Sequence, residues 1–109
     1  MKLQEFYELA IQSGIDADPR GRPAVEQELR EAQKSYEELK PEDKASFDAE
    51  RLKNPYADSR ILHGSPDRDV KSILAGIDIE TPELLLADRL IQKGTGLDLV
   101  LAHHPEGRA

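Results

Sequence analysis

Two adjacent imidazoles are the clearest chemical signal in this sequence. His103 and His104 follow the apolar run 97–102 and precede Pro105, and His63 is the third of three histidines in 109 residues. Neutral imidazole is a common ligand for zinc, iron and manganese. Successive strand residues point to opposite faces, so neighbouring histidines at the end of a strand converge poorly on one ion. They suit a place where the backbone turns and each ring serves a different metal. Pro105 restrains His104 to extended geometry and would fix that splay. In parallel α/β sheets the carboxyl ends of the strands open onto the ligand crevice. Asp78, at the end of the other apolar run of the second half, belongs to the same edge. On spacing alone the pair reads either as metal ligands or as two polar residues closing a strand in a surface turn.

Other polar residues support fewer chemistries. Arg20 and Arg22 flank a turn before a helix N-terminus, which is anion-binding geometry or a solvated turn. Asp58 and Arg60 stand at the start of a possible short strand and form either a cleft-edge pair or a surface ion pair. Glu106 is placed either to accept an imidazole N–H from behind a ligating ring or to face solvent. Gly94 and Gly96 follow a helix where a phosphate loop would follow a strand, and there is no nucleophile-elbow spacing. With no cysteine, thiolate zinc sites, disulfides and cysteine nucleophiles are excluded.

The elements that must position these residues differ between the two halves. In residues 1–57, Leu3, Phe6, Tyr7, Ala10 and Ile11 fall at helical spacing, with Gly14 as the expected C-terminal cap. Asp18-Pro19-Arg20-Gly21 has the residue order of a type I turn. Pro23 suits the first residue of a second helix, whose narrow stripe is Val25, Leu29, Ala32, Tyr36 and Leu39. Its Glu- and Lys-rich remainder, 26–40, is a solvated face with i,i+4 pairs. Pro41 opens an acidic third helix, roughly 41–52, and Asn54-Pro55 closes it. In residues 58–109 the pattern predicts a short strand at 59–62, a strand over 70–79, a helix capped by Thr81 and ended by Gly94, and a strand over 97–102. Strand, helix and strand at this spacing make a βαβ unit with a parallel pair. The predicted fold class is α/β: N-terminal helices, 1–57, followed by a βαβ unit, 58–109. Strands this apolar call for cover on both faces, so the isolated chain is expected to self-associate or to be poorly soluble.

Composition narrows the function classes. Twenty-two acidic against fifteen basic residues give a formal charge of −7, opposite to what a phosphate-backbone binder needs, so no nucleic-acid partner is expected. No run approaches the ~18 apolar residues of a membrane span, and the first residues lack the apolar core of a signal peptide. The expectation is a soluble, cytoplasmic protein with no membrane partner.

The run Val70-Lys71-Ser72-Ile73-Leu74-Ala75-Gly76-Ile77-Asp78-Ile79, a helix, and then Asp98-Leu99-Val100-Leu101-Ala102-His103-His104-Pro105 resembles the N-terminal half of the NGG-interacting-factor-three family. Its members are described as type-two GTP cyclohydrolase I homologues. Ala17-Asp18-Pro19-Arg20-Gly21 and Asn54-Pro55-Tyr56-Ala57-Asp58-Ser59-Arg60-Ile61-Leu62 are similar to a prokaryotic subgroup of that family. The resemblance implies an α/β protein with a dinuclear metal centre, hydrolase-like activity on an undefined substrate, and a ring-like homo-oligomer. It implies that His103 and His104 are metal ligands, with two divalent ions (zinc, iron or manganese) about 3.5–4 Å apart and one activating a water. The family's remaining ligands, an aspartate and a late His/Glu pair, have no counterpart in this sequence. The chain is therefore read as the N-terminal part of a longer fold, inactive alone. The alternative is a non-catalytic metal-binding or protein-interaction module.

Overall fold

In the computed structural model, residues 1–105 are described, and they form α1 (Leu3–Asp16), α2 (Arg22–Glu37), α3 (Pro41–Lys44), a 3₁₀ turn (Ala49–Leu52), β1 (Ile73–Ile79), α4 (Thr81–Gln92) and β2 (Leu99–Pro105). The class is α/β, with N-terminal helices ahead of a βαβ unit whose two strands are parallel. Residues Tyr7–Arg60 make one unit; Met1–Phe6 join the chain from Ile61 onward in the other. The division thus falls three residues later than the expected boundary after residue 57, and the first turn of α1 goes with the second unit.

In the helical unit, Ile11 and Ile15 of α1 pack with Val25 of α2, and Tyr7, Leu29 and Tyr56 close around them. Only Val25 is completely enclosed, so polar side chains carry much of the cohesion. The carboxamide of the buried Asn54 donates to the Tyr7 hydroxyl at 2.8 Å and to the Ser59 carbonyl at 2.7 Å, and its oxygen accepts from the Tyr56 amide at 2.8 Å. The Tyr7 hydroxyl in turn donates to Glu50 at 2.8 Å. Both polar atoms of the Asn54 side chain have partners, which offsets the cost of burying them.

Several local expectations are corrected here. Gly14 does not end α1: the helix runs on to Asp16, and a Cβ at Gly14 would stand 3.2 Å from the Tyr56 ring. The glycine makes room for an aromatic side chain. The turn 18–21 forms, closed by Gly21 N–H to the Asp18 carbonyl at 3.0 Å, with Gly21 at φ +87°. The third helix splits in two, because Asp48 accepts the Glu50 amide at 3.2 Å and restarts the chain as a 3₁₀ turn. No strand forms at 59–62; the Ser59 carbonyl is taken by Asn54 and Arg60 side chains. The i,i+4 side-chain bonds of α2 are Gln27–Glu31 and Gln33–Glu37, with no Glu–Lys pair among those described.

In the second unit β1 starts at Ile73 rather than Val70. The Val70 amide donates to the Met1 carbonyl at 2.7 Å and the Lys71 amide to the Asp98 carboxylate at 2.9 Å, so neither is free for a ladder. The carbonyls of Arg68 and Pro66 accept from the Leu3 and Gln4 amides, satisfying two of the orphan donors at the start of α1. The cap of α4 is Glu80, in a reciprocal capping box with Glu83, and Thr81 is the first helical residue. Gly94, at φ +79°, follows the end of α4, as expected. Ala87 is buried where α4 packs on β1. The sheet face bearing Leu74, Gly76, Val100 and Ala102 is partly covered, whereas Ile73, Ala75, Ile77 and Leu101 on the other are exposed. Leu84, Leu85, Leu86 and Ile91 of α4 are exposed as well. No helix among the described residues is long and apolar enough to cross a membrane.

Two stability measurements check this account. Gly21→Val forces a β-branched residue into the left-handed region, so thermal melting should show a loss of about 1–3 kcal/mol. The Arg20 guanidinium, which bonds the Asp18 carboxylate through Nε at 3.1 Å and Nη2 at 3.0 Å, holds that carboxyl well below the usual carboxylate range, aided by the Arg20 amide and the Tyr56 hydroxyl. A depressed folded-state value means stabilisation that is complete above the unfolded value of about 3.9 and disappears as the pH falls below it. Asp18→Asn should therefore melt earlier than the parent at neutral pH and show a flatter loss of melting temperature between about pH 4 and pH 2.

Candidate metal site

The placement of the histidines follows from strand register. β1 and β2 pair with Ile73 opposite Leu99, Leu74 opposite Val100 and Asp78 opposite His104. The offset is set at the entry to the strands, where the Ser72 carbonyl accepts the Asp98 and Leu99 amides at 3.1 and 3.2 Å. The Asp98 carboxylate adds bonds from the Lys71 amide and from Arg68, at 2.9 Å each. Those contacts, Arg68 foremost, hold the Asp98 carboxyl below its ordinary range.

β2 does not stop before the histidines: it runs through His103 and His104 to Pro105. Strand alternation therefore applies to the pair itself. His104 shares a face with Asp78, and its Nδ1 lies 3.0 Å from Asp78 Oδ1. His103, on the other face, borders a shallow open depression with Ala75, Gly76, Ile77, Leu101 and Ala102. The splay is smaller than alternation alone implies. The two ring centroids are 4.4 Å apart and the planes meet at 75°, edge to face. Both imidazoles are exposed, and the side chains of His104 and Asp78 are 63% and 67% accessible.

This edge brings together two imidazoles and one carboxylate. Among the described residues, no group of three or more side chains has the geometry to hold a metal ion. The donor chemistry fits part of a divalent-cation site, since imidazole is a ligand type zinc, iron and manganese share. It supplies fewer than the four donors of a closed zinc site.

The other candidates are placed elsewhere. Arg20 is bonded to Asp18 and, at 2.9 Å, to Glu28, while Arg22 pairs with Asp16. Carboxylates occupy both guanidinium groups, which is not the arrangement of an anion site. Arg60 pairs with Asp48 at 3.0 Å, not with Asp58, and also donates to the Tyr56 carbonyl at 2.6 Å. It is a brace of the helical unit. His63 is exposed on the segment before β1, and Glu106 lies outside the described residues. The direct Asp78–His104 contact was missed by sequence reasoning, which placed both residues at one edge but could not fix the register pairing them.

Comparison of the chain with protein-family models, with curated proteins and with solved structures gives no match.

Proposed function

We propose that His103 and His104 are ligands of a divalent-metal centre, and that this chain is the N-terminal part of a hydrolase-like, dinuclear protein of the NGG-interacting-factor-three kind, its substrate undefined. One observation carries the reading: two solvent-open imidazoles in edge contact, 4.4 Å between centroids, at the carboxyl end of a parallel strand pair, with one ring bonded to a carboxylate. A ligand-poor surface turn gives no reason for that convergence; a cation site does. Zinc, iron and manganese all suit the donor set, and a bound ion would supply Lewis acidity. The ring-like homo-oligomer and the cytoplasmic location belong to the same proposal.

A second reading has its own support. Ile73, Ile77 and Leu101 leave one sheet face apolar and uncovered within the unit, as in a module that binds metal without catalysis and meets other polypeptide through that face.

Zinc titration followed by calorimetry and by histidine NMR signals tests the metal assignment. Weak binding is expected, reduced about tenfold, or ~1.4 kcal/mol, by either His103→Ala or His104→Ala. Zinc binding that neither substitution changes would overturn the assignment. No hydrolysis is expected from this chain alone.

A further inference from the structure

The bond between Asp78 and His104 decides which nitrogen of the ring is available. Asp78 and His104 are direct cross-strand partners in the parallel register, so the backbone of both strands holds their Cα atoms opposite one another on one face. The carboxylate has only acceptor atoms when ionised. The ring atom it meets is Nδ1, at 3.0 Å. A neutral imidazole that gives its Nδ1 proton to a carboxylate keeps the lone pair on Nε2. His103 approaches the same ring edge to face, which limits how far the His104 ring can turn without a clash.

We propose that Asp78 is a positioning residue for His104: it holds the imidazole in the Nδ1–H tautomer and so presents Nε2 as the ligating nitrogen. The inference rests on the reading of His104 as a metal ligand. It adds a residue, a tautomer and a specific donor atom to that reading. Asp78 stands behind the ring and is no ligand itself, and the acceptor behind a ligating imidazole both orients it and raises its basicity. Among the described residues a carboxylate contact is made to the ring of His104 and none to that of His103, so the two histidines differ there. His104 is the pre-oriented ligand and His103 the adaptable one.

Long-range nitrogen–proton NMR of the intact chain at about pH 8.5, where imidazole is neutral, reads the tautomer directly. His63, exposed ahead of β1, is the internal reference. The parent should show the Nδ1–H form as the major species at His104 and a different ratio at His63. In Asp78→Ala the His104 ratio should move to that of His63. Asp78→Asn, which keeps an acceptor oxygen but no charge, should fall between. Asp78 is at an exposed strand end, and matching backbone amide spectra establish that the variants are folded. Zinc should then shift Nε2 of His104 in the parent, with the dissociation constant about tenfold weaker in Asp78→Ala. An unchanged His104 tautomer in Asp78→Ala overturns the positioning role, even where zinc still perturbs both rings and the metal reading stands. A locked tautomer with no zinc perturbation at either ring overturns the metal reading, and with it the positioning of a ligand.

Discussion

At the entry to the βαβ unit the Ser72 carbonyl receives two amides from the partner strand, and the Asp98 carboxylate gathers the Lys71 amide and Arg68. This set of bonds fixes the offset between β1 and β2, and with it everything at the far end of the pair. A side-chain period of two means that a slip of one residue would turn the whole of one strand over. Asp78 and His104 would then face opposite sides of the sheet, and the 3.0 Å contact between them could not exist. The chemistry at the carboxyl edge is thus set by hydrogen bonds at the amino edge, six residues away along β1.

The helical unit is organised on a different principle. Its enclosed apolar cluster is three aliphatic side chains, a small yield of hydrophobic free energy for the residues it must order. Buried and half-buried polar side chains take over part of the task. Asn54 ties α1 to the segment after the 3₁₀ turn, and the Asp18 carboxylate collects Arg20 and the Tyr56 hydroxyl. Burial and the neighbouring carboxylate both push the Tyr56 hydroxyl up from its ordinary value, which keeps it a donor across the physiological range. Such networks are sensitive to the loss of any one member, because the partner left behind has no water to replace it. The arginines that would otherwise make an anion site are consumed in this architecture.

The βαβ unit carries more apolar surface than it covers. Ile77 is 69% exposed, and four large aliphatic residues of α4 remain about half exposed. Parallel strands of this composition normally carry helices on both faces, and here α4 packs on β1. The histidines occupy the same unit, so the uncovered apolar face and the histidine edge are built on the same two strands.

What the sequence determined by itself was the order and kind of the main elements. Helical spacing from Leu3 to Ile11, the Asp-Pro-Arg-Gly turn, the Pro-Glu opening of α4 and its Gly94 exit are local signals, each with a local physical cause, and they sufficed for the α/β class and the parallel pair. The sequence also singled out His103, His104 and Asp78 by type and position. Tertiary structure decided what periodicity cannot encode. Gly14 reads as a helix stop until the Tyr56 ring is seen against it. The predicted strand at 59–62 is absent, with its Ser59 carbonyl taken by Asn54 and Arg60, and β1 begins late because Met1 and Asp98 claim the amides before it. The pairing of Asp78 with His104 and the 4.4 Å approach of the two rings depend on register and rotamer. Both are set by contacts between residues far apart in the chain, and no local pattern carries that information.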